Sequence, residues 1–365
     1  MAVYVGKAMA SSHLVLSIEE ELAKNPHSKV VPERFVRPVD HQDPPALLGA
    51  LFPAIPTVDM KKLVSVETKD SETDKLKTTC MEWGLFQLVN HGVSSSLLEK
   101  LNQEIEEFFK LPLEEKMKFK VRPGDVEGYG TVVRSADQRL DWGDRVYMIT
   151  NPIHRRKPYL FPQLPSSFRE TMEAYLKELQ KLAMTLLEHL GKALMIEMRE
   201  MKEMFDDGMQ SVRITYYPPC PQPEQVMGIT PHSDATGITI LHQVNGVEGL
   251  QLKKDGVWIP VNFHPDAFVV NVGDVLEILS NGLYNSVEHR VNVNTTKERI
   301  SIALFFNPKF EAEIGPATTL LNPNKPPLFR RVGMEKYVKD FFSRRLNGKT
   351  YLEHMRIKTE GNSSA

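Results

Sequence analysis

At about Ser211 the apolar residues of this chain stop recurring at helical spacing and begin to alternate, a pattern that holds to Phe306. Alternation with period two marks half-buried strands, and Gly or Pro punctuates most of the joins. Eight segments are predicted as strands: 212–217, 236–242, 249–253, 257–261, 267–272, 275–280, 286–293 and 299–306. A parallel, doubly wound sheet would need a helix between successive strands, and no helical pattern interrupts this run. The order therefore predicts an α+β chain with an all-β core, closed as a jelly roll or a barrel.

Helical periodicity lies N-terminal to that core. Leu98, Leu101, Ile105, Phe108 and Phe109 form one apolar face, and Met172, Tyr175, Leu176, Leu179, Leu182, Leu186, Leu187, Leu190 and Leu194 form a longer one. Ser96-x-x-Glu99 and Ser167-x-x-Glu170 read as capping boxes opening these two helices. A helix over Ser17 to Lys24, a short strand near Thr57 and a terminal helix from Met334 to Arg345 are also expected. The chain thus divides into an N-terminal arm (1–52), an N-terminal region (53–165), a support helix (166–206), the β core (207–308) and a C-terminal helix with tail (309–365).

Composition removes several function classes. Forty-five basic side chains face 47 acidic ones, a net charge of −2, which argues against a nucleic-acid binder working by phosphate neutralisation. Two cysteines, Cys80 and Cys220, cannot build a disulfide framework, so a reducing, cytoplasmic setting is expected. No apolar run reaches the roughly 20 residues needed to cross a bilayer, and the first residues lack a secretory pattern.

Of eleven histidines, most have no partner at ligand spacing. His232-Ser233-Asp234 differs: on extended backbone, residues i and i+2 point the same way, so His232 and Asp234 can converge on one ion. His289 follows on a later strand. Two histidines and a carboxylate on a β scaffold make the facial triad of non-haem Fe(II) oxygenases. A Thr-Pro-His-Ser-Asp turn with an unrelated core histidine is the plainer alternative. Arg299-x-Ser301 adds weight, because it places a guanidinium and a hydroxyl on one face of an apolar strand. A buried guanidinium needs an anion. A dicarboxylate co-substrate would supply one; a salt bridge to Glu298 or Glu288 would equally do so.

Over residues 53–357 the chain resembles the plant Fe(II)/2-oxoglutarate-dependent dioxygenases. The matching stretches are Glu82-Trp83-Gly84-Leu85-Phe86-Gln87-Leu88-Val89-Asn90-His91-Gly92-Val93, Leu111-Pro112-Leu113-Glu114-Glu115-Lys116 and Asp137-Gln138-Arg139-Leu140-Asp141-Trp142. Tyr216-Tyr217-Pro218-Pro219-Cys220-Pro221, Asn271-Val272-Gly273-Asp274 and the iron and co-substrate motifs complete the set. Within the family it is most similar to the senescence-related-protein type, which includes the opium-poppy morphinan O-demethylases.

The resemblance implies a double-stranded β-helix supported by N-terminal and long central helices. It implies His232, Asp234 and His289 as iron ligands, Arg299 and Ser301 on the distal carboxylate of 2-oxoglutarate, and Tyr217 beside it. Thr215 stands where relatives carry Asn, so its hydroxyl takes that place at the co-substrate. Phe305 and Tyr147 match substrate-pocket positions, Arg213 faces the same cavity if Tyr217 does, being four residues from it on one strand, and the C-terminal helix with Tyr337, Phe341 and Phe342 is a candidate lid. The implied activity is hydroxylation or O-demethylation of a small aromatic plant metabolite by a monomer, with Fe(II), 2-oxoglutarate and O2, supported by ascorbate. Two alternatives stand beside it: a sensor of the same fold without turnover, and a zinc hydrolase on the same trio.

Overall fold

The computed structural model describes residues 14–25, 28–38, 52–133 and 138–357. Much of the expected arm over 1–52, and Asp137 of the matched motif, lie outside the described residues. Two main sheets are built from β1 (Thr57–Asp59), β2 (Leu85–Val89), β3 (Gly128–Tyr129), β4 (Asp144–Asn151), β5 (Gln210–Tyr217), β6 (Ile229–His232), β7 (Ile238–Gln243), β8 (Leu250–Lys254), β9 (Val257–Pro260), β10 (Phe268–Val272), β11 (His289–Val291) and β12 (Arg299–Phe306). The larger sheet has the order β1-β2-β10-β7-β12-β5-β4-β3, and the smaller β9-β8-β11-β6. All neighbours are antiparallel except β1 with β2. The predicted jelly roll forms, with helices on one side.

Period-two alternation decides what each face of the larger sheet does. On β12, Ile300, Ile302, Leu304 and Phe306 point outward into a cluster shared with Val212 and Ile214 of β5. That cluster is completed by α1 (Lys69–Glu82), α2 (Ser95–Lys110) and α3 (Ser166–Ala193), including Leu76, Leu101, Ile105, Leu179 and Leu186. Each such side chain, fully buried, contributes about 1.5–3 kcal/mol. Between the sheets, Leu85, Tyr217 and Val269 meet Ile229, Leu250, Leu252, Ile259 and Val291. The interior is apolar there, and the polar residues of the same inner faces gather elsewhere.

Several local expectations are corrected. Residues 275–280 are not a strand; 275–279 belong to α4 (Asp274–Leu279), every residue of which is buried, and Ser280 is its C-cap. Leu276 and Leu279 enter the outer cluster while Val275 and Ile278 enter another beneath the C-terminal helices, and an apolar run buried on two sides carries no period. The strand expected over 286–293 is only β11, because Ser286 gives its N–H to Glu277 Oε2 (2.7 Å) and its hydroxyl to Asp274 Oδ1 (2.6 Å). Neither capping box forms. The helix carrying Ser96 has Ser94 at its N-cap, whose hydroxyl pairs with that of Ser96 (2.7 Å), and Ser167 donates to Glu104 instead. The C-terminal helix α5 (Met334–Phe342) stops short of Arg345.

Four strands of these sheets were absent from the sequence reading, β2, β3, β4 and β6. Strand β4 begins with the buried charge of Asp144, which runs against any simple strand pattern. That carboxylate accepts from Ser17 Oγ (2.7 Å), the Ile18 N–H (2.8 Å) and Tyr129 Oη (2.8 Å), so it caps the short helix Ile18–Ala23 from across the fold. Further along, the Ile149 N–H donates to Glu127 Oε2 at 2.7 Å.

Burial pushes the Glu127 carboxyl up to about 7, against the pull of that N–H. In the unfolded chain it ionises near about 4.3. Between those pH values the folded state holds a proton that the unfolded state has lost, so Glu127 costs stability as pH rises through the window. Glu127→Gln should therefore flatten the pH dependence of the thermal midpoint between pH 4.5 and 7.5, approximately the window given above. Parallel profiles for parent and variant would refute this account.

Candidate active site

His232 closes β6 and His289 opens β11, and the two are cross-strand partners with ring centroids 4.3 Å apart. Each imidazole is oriented by a backbone carbonyl: His232 Nδ1 donates to Thr230 O (2.8 Å) and His289 Nδ1 to Val287 O (3.2 Å). A carbonyl can only accept, so both protons sit on Nδ1 and both Nε2 lone pairs are free for an ion. Asp234, just past the end of β6, turns Oδ1 toward them, 3.5 Å from His232 Nε2 and 3.7 Å from His289 Nε2. One ligand atom from each of the three lies within 4.8 Å of the others, and all three residues are buried.

Charge supports the same reading. Burial, with His232 nearby, lowers the His289 pKa to about 4, which keeps the ring neutral at physiological pH. For Asp234, burial works the other way, yet the two imidazoles and the Thr239 hydroxyl hold its carboxyl well below the usual range. Imidazole nitrogens beside an ionised carboxylate oxygen are the donor set a divalent metal needs.

On the adjoining inner face, Arg299 pairs in register with Tyr217, and Ser301 with Thr215. The Arg299 guanidinium is 1% exposed. Its Nη1 donates to Ser301 Oγ (3.1 Å), while Nε and Nη2 have no hydrogen-bond partner among the described residues. Neither acid proposed as its counter-ion reaches it: Glu298 accepts from Tyr216 Oη (2.9 Å), and Glu288 pairs with Lys253 (3.5 Å). Two vacant, buried N–H groups fit one end of a dicarboxylate. Thr215 is buried beside them, accepting from Arg213 Nε (3.2 Å). Arg213 faces Tyr147 on one side and Ala303 on the other, and Phe305 lies one step further along that face. The ring of Phe342, at the end of α5, lies 5.6 Å from that of Tyr147.

The C-terminal strap after α5 was not anticipated. Gly348 donates to Pro231 O (2.9 Å), and its own carbonyl accepts from the Ser233 N–H (3.3 Å), so the strap brackets His232. Lys349 and Arg356 hold it down by ion pairs to the buried Glu277, each at 2.9 Å. Asn271, Gly273 and Asp274 were quoted only as a motif. In the fold, Asp274 accepts from Ser233 Oγ (3.1 Å) and Ser286 Oγ (2.6 Å), joining the two segments that carry the trio.

Comparison with known proteins agrees with this geometry. Residues 208–308 match the 2OG-Fe(II) oxygenase superfamily, and residues 55–167 match the non-haem dioxygenase in morphine synthesis N-terminal family. The chain belongs to the 2OG-Fe(II) oxygenase superfamily. It is 50% identical to Protein SRG1 of Arabidopsis thaliana, over 96% of this chain and 99% of that protein. It is also 50% identical to codeine O-demethylase of Papaver somniferum, over 83% and 85%. Among solved structures, JOX2 in complex with 2OG, Fe and JA superposes with a TM-score of 0.84 at 34% identity, covering 94% of this chain and 98% of that one. This 2-oxoglutarate-dependent dioxygenase therefore uses Fe(II) and 2-oxoglutarate, and it lies in the branch that contains SRG1. No described helix is long and apolar enough to cross a membrane.

Gly273 sets the spacing of the site. A Cβ there would stand 2.1 Å from the Thr236 carbonyl oxygen, a backbone atom that cannot move aside alone. Gly273→Ala should cost roughly 1–3 kcal/mol in denaturant unfolding, as overpacking does, and should weaken metal binding with it. A variant as stable as the parent would contradict the close approach.

Proposed function

We propose that this oxygenase hydroxylates or O-demethylates a small aromatic plant metabolite, with His232, Asp234 and His289 as its iron ligands. In this reading Arg299 and Ser301 hold the distal carboxylate of 2-oxoglutarate, with Tyr217 and Thr215 lining the same end. The observation that carries the assignment is the buried Arg299 guanidinium, which has two vacant donors on the inner face beside the trio. Tyr147, Arg213 and Phe305 line the face left for substrate, and Phe342 supports a covering role for α5. Codeine O-demethylase, half identical to this chain, supports demethylation as the outcome. Two unpaired, buried cysteines, Cys80 and Cys220, support action in the cytoplasm, and a monomer is the proposed state.

When bound, iron and 2-oxoglutarate would activate O2, one atom of which goes to a substrate carbon and the other into succinate as the co-substrate loses CO2. The chain's own contribution is orientation. The carbonyls of Thr230 and Val287 hold the imidazoles, and Arg299 fixes the co-substrate's far end. The aromatic wall sets which hydrogen of the substrate meets the oxidant and keeps water away. If that hydrogen belongs to an O-methyl group, the product is a hemiacetal, which releases formaldehyde.

Incubation with Fe(II), ascorbate, 2-oxoglutarate and a pool of O-methylated aromatic metabolites should yield succinate and formaldehyde in equal amounts. His232→Ala should yield neither. Succinate without formaldehyde would favour plain hydroxylation, and no succinate despite bound iron and 2-oxoglutarate would reject the substrate class. Arg299→Met tests the co-substrate assignment separately. Losing charge-assisted bonds worth about 1.5–3 kcal/mol each should weaken 2-oxoglutarate binding by about 10-fold or more. The same change removes a buried charge with no protein counter-ion, so the thermal midpoint should hold or rise. Unaltered 2-oxoglutarate affinity would refute the role of Arg299.

A further inference from the structure

Asp234 has two oxygens, and the fold treats them differently. Oδ1 faces the Nε2 atoms of both histidines. Oδ2 accepts from Thr239 Oγ1 at 2.6 Å and from Asn271 Nδ2 at 2.9 Å. Thr239 on β7 and Asn271 on β10 are direct cross-strand partners, so one rung of the larger sheet presents two donors side by side. Both are buried, at 3% and 5% exposure. Thr236 Oγ1 lies 3.2 Å behind Thr239 Oγ1, so a hydrogen bond between these hydroxyls leaves the Thr239 proton directed at Asp234. Asn271 stands in a strand whose other four residues, Phe268, Val269, Val270 and Val272, are apolar and buried. An amide in that company needs a polar partner, and Asp234 supplies one.

We infer that Thr239 and Asn271 are positioning residues that restrict Asp234 to one ligating oxygen. The inference rests on the proposal that the trio binds iron. A facial triad leaves three positions open on the opposite side of the ion. A keto acid chelating through two atoms takes two, and O2 requires the third. A carboxylate free to turn both oxygens to the metal would take one of these, at the expense of the co-substrate or of O2. With Oδ2 held by two strong donors, turning it costs two hydrogen bonds, one of them to a backbone-anchored strand residue on each side. The rung thus acts on the number of open positions rather than on metal affinity.

The test uses the full chain under anaerobic conditions. Thr239→Val keeps the side-chain shape and removes the donor; Asn271→Leu removes the other; Thr239→Ser restores the hydroxyl. Fe(II) affinity is measured by competition with a chelating dye, and 2-oxoglutarate affinity by titrating the visible charge-transfer absorption of its iron complex. The expected result is a split: Fe(II) affinity stays within about threefold of the parent or tightens, while 2-oxoglutarate binding weakens about tenfold or more, and further in the double variant. Thr239→Ser should recover parental values. Unchanged 2-oxoglutarate binding in folded variants would overturn the inference, as would equal weakening of both ligands, which marks general loss of site geometry. If the parent and His232→Ala bind Fe(II) alike, the trio is not the metal site, and both the inference and the proposed function fall together. Thermal unfolding of each variant separates a failed fold from a failed rung.

Discussion

Charge buried in a β interior must be matched, and the arrangement of this molecule follows from that constraint. One face of β12 carries Arg299 and Ser301 inward while its other face sends Ile300, Ile302, Leu304 and Phe306 into the helical layer. The apolar face fixes the strand so firmly that the guanidinium cannot withdraw to water. It is left with two donors that the described protein does not satisfy. Such an arrangement is unfavourable in isolation and is retained where a ligand completes it. Asp234 shows the complementary solution, a buried carboxylate with one oxygen satisfied by a threonine and an asparagine and the other turned to the two imidazoles.

The larger outline was legible because period-two alternation and the trio spacing are local signals. His232 and Asp234 converge as i and i+2, and Arg299 and Ser301 share a face for the same reason. What stayed hidden was whatever depended on burial from two directions or on contacts across the fold. Residues 275–280 carry no period because both sides of α4 are covered. Strand β4 opens on Asp144, whose partners Ser17 and Ile18 lie far away in sequence. The capping boxes failed because their serines found other partners. Asn271 was visible as a polar residue in an apolar run, but its task required knowing that β7 places Thr239 opposite.

Sheet register does much of the chemical work. Tyr147, Arg213 and Ala303 lie across three strands on one inner row, and Arg145, Thr215, Ser301 and Gln243 on the next. The row with Arg213 and the row with Ser301 are therefore separated by a single two-residue step. A slip of one residue in β5 or β12 would send both rows into the helical layer, so the apolar outer face guards register and chemistry together.

The strap at Gly348 has a consequence for biosynthesis. The backbone around His232 finds two of its hydrogen-bond partners in a residue close to the C-terminus of the chain. During synthesis the β core, with His232, Asp234, His289 and the Asp234 rung, is complete in sequence long before residue 348 emerges. Until then Pro231 O and the Ser233 N–H must be satisfied by water, and the segment bearing His232 and Asp234 is less firmly held. The segment bearing His232 and Asp234 is therefore completed by residues that follow it by more than a hundred positions.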